Sequence, residues 1–182
     1  MEGIVNKRLV RYLKKNKKLS DRQFGFRRSK STEDAVSLLT DRVVSFLDKS
    51  RSCVGVFLDL AKAFDTVSHP ILLKKLSALG IRGIPLDWFS SYLMGRDQCV
   101  KIGEYRSEPR KIDFGVPQGS ILGPTLFLSY INDLMSLELQ NSEVLCYADD
   151  TAVIIHGKSW NEVHSLTVRA IQKIQNWFII VI

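Results

Sequence analysis

Two adjacent carboxylates, Asp149 and Asp150, lie between strand-like runs at 144–148 and 151–155. The spacing predicts a β-hairpin whose two-residue loop is the Asp pair itself. Such loops favour Asn-Gly, Asp-Gly or other glycine-containing pairs, because a type I′ turn needs positive φ at both central residues. Two neighbouring negative charges also repel, so the pair makes a poor turn but a good oxygen-donor site for a hard cation. For an isolated pair, a hydrated surface turn explains it equally well. A third carboxylate shifts that balance. Asp59 ends a near-continuous apolar run at 53–58, which reads as a strand buried on both faces, where an unpaired charge is costly. Placed beside the hairpin in one antiparallel sheet, it would bring three carboxylates to one edge. That donor set suits two divalent cations in in-line phosphoryl chemistry.

The elements that must position these groups follow from periodicity and punctuation. Apolar residues at spacings of three to five, with basic residues between them, predict a helix over 2–17. A loop at 19–31 carries Gln23, Phe24, Gly25 and Phe26, then Arg27, Arg28 and Lys30. Ser31 or Thr32 can cap a helix running to about residue 48, with Glu33 and Asp34 beside its positive end. Helices are also expected over 70–79, 85–94, 121–135 and 160–177, and two strands at 98–102 and 106–114 turn at Gly103. This order predicts an α+β fold in which an antiparallel sheet has helices packed on one face.

Composition bounds what such a fold can be. The chain has 182 residues, 45% of them hydrophobic and 25% charged, enough for one core and unlike a disordered chain or a disulfide miniprotein. No apolar run approaches the ~20 residues of a membrane span, and no signal peptide is visible, so an intracellular protein without a membrane partner is expected, in the nucleus or the cytoplasm. Residues 1–30 hold eleven Lys and Arg against Glu2 and Asp21, a local charge of +9; the whole chain is +7, which leaves 31–182 at −2. A basic arm on a slightly acidic body suits nucleic acid or an anionic surface, the plainer alternative being a solvated helix face. Cys53, Cys99 and Cys146 show no zinc spacing and read as reduced, semi-buried side chains. His69, before Pro70, reads as structural, and Trp88, Phe89 and Tyr92 at helical spacing as core.

Four blocks in order carry a family resemblance: QFGFRRSKSTEDAV at 23–36, VFLDLAKAFDTVSHPILLKKL at 56–76, GVPQGSILGPTLFLSYINDL at 115–134 and YADDTAV at 147–153. With the linking segment at 81–103, they resemble a reverse transcriptase of the non-LTR, LINE-like retrotransposons over nearly the whole chain. The resemblance implies a right-hand polymerase palm with partial fingers: fingers at 1–50, mainly palm at 51–182, and 81–120 partly at their junction. The family's upstream fingers block and thumb would then lie outside these residues.

By position, the resemblance makes Asp59 the first metal-binding aspartate, with the Leu60 carbonyl completing its site. Asp149 becomes the second catalytic carboxylate and Asp150 its metal-supporting neighbour. Phe64 would be the aromatic gate against a ribose 2′-OH, with Asp65 a weaker candidate, a structural helix-start residue. Gln118 and Gly119 would touch the incoming nucleotide and template, and Arg27, Arg28 and Lys30 would contact phosphates. The implied cofactor is a pair of Mg²⁺ ions, with Mn²⁺ as an alternative, and the implied partners are an RNA template, a DNA primer and dNTP. Three functions follow for test: an RNA-directed DNA polymerase domain, an inactive nucleic-acid-binding remnant, and a metal-dependent phosphodiesterase using the same carboxylates.

Overall fold

Helix α1 (Glu2–Lys15) forms because Leu9 and Leu13 share one face with Val5 and Tyr12, while Lys7, Arg8, Arg11, Lys14 and Lys15 take the exposed sides. A capping box opens α2 (Thr32–Asp48): the Ser31 hydroxyl accepts from the Asp34 amide at 3.1 Å, and the Asp34 carboxylate accepts from the Ser31 amide at 2.7 Å. Ser31 is therefore the cap. These hydrogen bonds hold the Asp34 carboxyl below its usual range. The computed structural model describes residues 1–181.

Strand β1 (Ser52–Leu58) follows α2, then helices α3 (His69–Ala78) and α4 (Ile84–Leu93). Two short ribbons come next, β2 (Arg96–Gln98) with β5 (Arg110–Ile112), and β3 (Lys101–Ile102) with β4 (Tyr105–Arg106). Helix α5 (Gly123–Ile131) runs into a 3₁₀ turn at Asn132–Ser136. The hairpin strands β6 (Ser142–Tyr147) and β7 (Asp150–Gly157) and the long helix α6 (Trp160–Val181) complete the described chain.

The central sheet is antiparallel, in the order β1-β7-β6. Alternation splits it into two faces. Val54, Val56, Leu58, Val153, Ile155, Val144 and Cys146 join the main core with Leu9, Leu13, Leu72, Leu76, Leu126, Leu134 and Trp177. Cys53, Ile154 and Leu145 point the other way and pack with Phe24, Phe46 and residues of α2. The expected helical layer is present on one face, and α2 additionally covers part of the other. Lys75 of α3 ties the layer together. It donates to the Tyr130 carbonyl and the Asp133 carboxylate, both at 2.7 Å, and lies 4.5 Å from the Trp177 ring centre.

The sheet corrects one expectation. β1 was expected to be buried on both faces, but it is an edge strand, and Phe57 remains 73% exposed with its ring over Gly55. An unbroken apolar run looks the same from sequence whether or not the second face is covered. Here α2 reaches only the Cys53 end of that face.

Candidate active site

The hairpin between β6 and β7 closes one residue earlier than the Asp pair suggests. Tyr147 pairs with Asp150, so the two loop residues are Ala148 and Asp149, and Asp150 is the first residue of β7. Ala148 takes φ +55°, whereas Asp149 is not among the residues of positive φ, the pattern of a type II′ turn, whose first central position favours glycine. Left-handed backbone costs an L-residue about 1–2 kcal/mol. Residue 148 extends the apolar strand pattern by one position, which hides this register in the sequence.

The far strand brings in Asp59. β1 pairs with β7 so that Leu58 faces Thr151. Asp59 directly follows Leu58 and Asp150 directly precedes Thr151, so both stand at the same end of this ladder. Asp59, Asp149 and Asp150 therefore occupy one end of one sheet. Asp59 and Asp150 are exposed and Asp149 is half-buried. Among the described residues none of the three is in an ion pair, and no three His, Cys, Asp or Glu side chains stand close enough together to hold a metal ion. The adjacent Leu60 carbonyl accepts from the Ala63 amide at 3.2 Å and keeps one lone pair free. Oxygen donors of this number and exposure suit Mg²⁺, which binds through one or two carboxylates plus substrate oxygens rather than in an all-protein cage. These donors would serve the implied cation only as an open site that substrate oxygens complete.

The remaining expected residues fall into two groups around this sheet end. Phe64 sits in the turn after β1, half-buried, stacked on Phe127 at 4.3 Å and edge-on to Phe26 at 6.0 Å. Its carbonyl accepts from the Val116 amide at 2.9 Å, which fastens the Gly115–Gly119 loop to the same turn. Gly115, at φ +90°, has the Asp65 backbone 3.1 Å from where a side chain would begin, so only glycine lets the loop approach. His69 is buried and hydrogen-bonds the Gly115 carbonyl at 2.7 Å, a structural part as expected. Gln118 donates to Asp65 at 2.7 Å, a link the sequence did not reveal, and Gly119 is exposed at φ +78° with open space around it. Asp65 is not a helix-start residue, since α3 begins at His69.

Of the basic cluster, only Arg28 is exposed. Arg27 donates to the Ser20 carbonyl at 2.7 Å, and Lys30 reaches the Asp21 carbonyl and lies 4.4 Å from the Phe24 ring centre. Burial and the neighbouring Arg27 push the Lys30 ammonium below its usual pKa. Beneath the hairpin, burial pushes the Cys146 thiol up to about 11, so it stays protonated. Cys53, Cys99 and Cys146 are all free thiols. Trp88 stacks on Tyr92 at 5.4 Å and Phe89 is buried, in keeping with a packing role.

Known proteins share this chain's sequence pattern and fold. The family described as "Reverse transcriptase (RNA-dependent DNA polymerase)" matches residues 1–180. The chain is 33% identical over 170 residues to the probable RNA-directed DNA polymerase from transposon BS of Drosophila melanogaster, covering 88% of this chain. It is 35% identical over 165 residues to the RNA-directed DNA polymerase from mobile element jockey of the same organism, covering 87%. In each case the match spans only 18% of the relative's length. Among solved structures, telomerase from Candida albicans superposes with a TM-score of 0.65 at 15% identity, over 91% of this chain and 32% of that one. The chain belongs to the reverse transcriptase family, and its curated relatives are polymerases of non-LTR retrotransposons. The resemblance read from the four motif blocks is borne out.

Proposed function

We propose that this chain carries the catalytic centre of an RNA-directed DNA polymerase of a non-LTR retrotransposon, joining a dNTP to a primer 3′-OH opposite an RNA template. The observation that supports the proposal is the pairing of Leu58 with Thr151, which ends β1 beside the hairpin that carries Asp149 and Asp150. Those carboxylates, with the Leu60 carbonyl, would hold two divalent cations, Mg²⁺ or Mn²⁺. When bound, these would lower the pKa of the primer hydroxyl and offset charge on the α-phosphate. The protein's own work is then positioning and electrostatics. Phe64, backed by Phe127, offers a rigid apolar edge to the sugar. Gln118 and Gly119 flank the nucleotide and template, with Gly119 open to close backbone approach. Residues 1–50 act as partial fingers, 51–182 mainly as palm, and 81–120 lie partly at their junction.

An RNA template and dNTPs are intracellular, so the working chain belongs in the nucleus or cytoplasm. Among the described residues no helix is long and apolar enough to cross a membrane. A primer–template assay with dNTPs and Mg²⁺ separates the candidate activities. Extension supports polymerisation, retention without turnover indicates a binding remnant, and shortening of the strands indicates a phosphodiesterase.

Two further expectations concern its ligands. Exposed Lys7, Arg8, Arg11, Lys14, Lys15 and Arg28 should hold nucleic acid through phosphates without reading bases. With about five contacts on a single strand at about −0.7 each, affinity should fall about 10²-fold between roughly 50 and 200 mM salt. A flat salt response, or unchanged binding after Lys14→Glu with Lys15→Glu, would remove the basic helix from the interface. In a polymerase reaction, Phe64→Val should raise rNTP use relative to dNTP by about tenfold or more, read as the ratio of kcat/KM values. Unchanged sugar discrimination would show that Phe64 is only a packing residue.

A further inference from the structure

Gln23 is 1% exposed, and both ends of its side-chain amide reach the hairpin turn. Its Oε1 accepts from the Ala148 amide at 2.9 Å and from the Gly25 amide at 2.8 Å, and its Nε2 donates to the Ala148 carbonyl at 3.1 Å. Both polar groups of residue 148 are thus held by one side chain 125 positions earlier in the chain. The flanking backbone pairs as well: the Phe24 amide donates to the Cys146 carbonyl at 2.8 Å, and the Cys146 amide to the Arg22 carbonyl at 2.9 Å, so this segment lies parallel along the open edge of β6. Gly25 completes the fit. A side chain there would begin 2.1 Å from the Ala148 nitrogen and 2.8 Å from its methyl group.

We infer that Gln23 is a positioning residue that clamps Ala148 in its left-handed conformation and thereby fixes the direction of the Asp149 carboxylate. The turn needs such a device because alanine does not choose φ +55° by itself. The bare turn therefore populates other conformers, each aiming Asp149 differently. A buried amide that satisfies both backbone groups removes them, since any other turn geometry would strand polar atoms away from water. The same contact seats the 22–25 loop on the palm, so the basic segment and the catalytic hairpin keep one relative position. The inference rests on the reading of Asp149 as a cation ligand, and the test separates the two.

The test uses the full 182-residue chain, with Mn²⁺ binding followed by electron paramagnetic resonance and amide exchange by NMR. Gln23→Ala should speed exchange of the Ala148 amide at least about tenfold relative to Ile154 in β7, because its acceptor is gone. It should also weaken Mn²⁺ binding by about tenfold, the usual consequence of losing a group that orients a ligand. Adding Ala148→Gly should return affinity to within about threefold of the unaltered chain, because glycine takes positive φ freely. A purely structural Gln23 would show no such rescue. Should Gln23→Ala alone not fold, the double variant compared with Ala148→Gly carries the same test. A double variant that stays unfolded or weak, or a folded Gln23→Ala with exchange and affinity unchanged, overturns the clamp. Mn²⁺ binding that ignores Asp149→Asn would instead sink the metal reading, while the exchange data still decide what Gln23 does.

Discussion

Replacing Asp149 with alanine should lower Mg²⁺-dependent primer extension by about 10³-fold or more while leaving the fold in place. Losing one ligand of a phosphoryl-transfer centre removes several kcal/mol of transition-state stabilisation, and each ~1.4 kcal/mol is tenfold in rate. The fold should tolerate the change because Asp149 makes no ion pair among the described residues, and the turn is held through Ala148. Alanine there also removes one of two adjacent negative charges. The measurement is extension rate against protein concentration, with far-UV circular dichroism as the control. Extension that survives the substitution within about tenfold would take Asp149 out of the chemistry.

The largest stability effect is expected at Phe127. Its ring is 1% exposed, lies inside the main core, and stacks 4.3 Å from Phe64. Truncation to alanine removes buried contacts and leaves a cavity, a loss of about 3–5 kcal/mol against a typical total of about 5–15. Denaturant unfolding should show the midpoint fall with little change in slope. Phe127→Leu should cost about half as much or less. Both variants remove the flat backing of Phe64, so both should also relax sugar discrimination in a polymerase reaction. Relaxed discrimination in the alanine variant alone would tie the effect to destabilisation rather than to the stacked pair.

Local signals carried much of the fold, and the places where they stopped are physically intelligible. Ser31 with Asp34, Pro at the starts of α3, α4 and α5, and the 3.6-residue apolar spacing of α1 and α6 act within a few residues and are visible in the chain itself. The positions of the three carboxylates are local too, since Asp59 follows β1, Asp149 lies in the turn after β6 and Asp150 opens β7. What could not be seen depends on distant partners. β1 looks interior, yet its second face is covered only where α2 happens to pass. The hairpin loop shifts by one residue because Gln23 holds Ala148 in a conformation its own side chain disfavours. Gln23 itself had only one hint, a polar residue beside Phe24-Gly25-Phe26, where a glycine between two aromatic residues suggests close backbone approach. The Gln118–Asp65 hydrogen bond joins two motifs recognised separately, and nothing in either predicted the other's presence.

The pairing of β1 with β7 also sets a schedule for synthesis. Leu58 must find Thr151, and every other rung of that ladder joins residues about as far apart. At about 5–20 residues per second, β7 leaves the ribosome some 5–20 s after β1 is complete. During that interval Val54, Val56 and Leu58 form a strand-forming segment without its native neighbour, a template for pairing with another nascent chain. Local helices can form early, but the sheet that gathers the carboxylates is a late, non-local event, whose rate is limited by loop closure over about half the chain. A nascent chain arrested before residue 150 therefore has α1 to α5 within reach and no β6–β7 hairpin, which makes the arrival of β7 the step that gathers the three carboxylates.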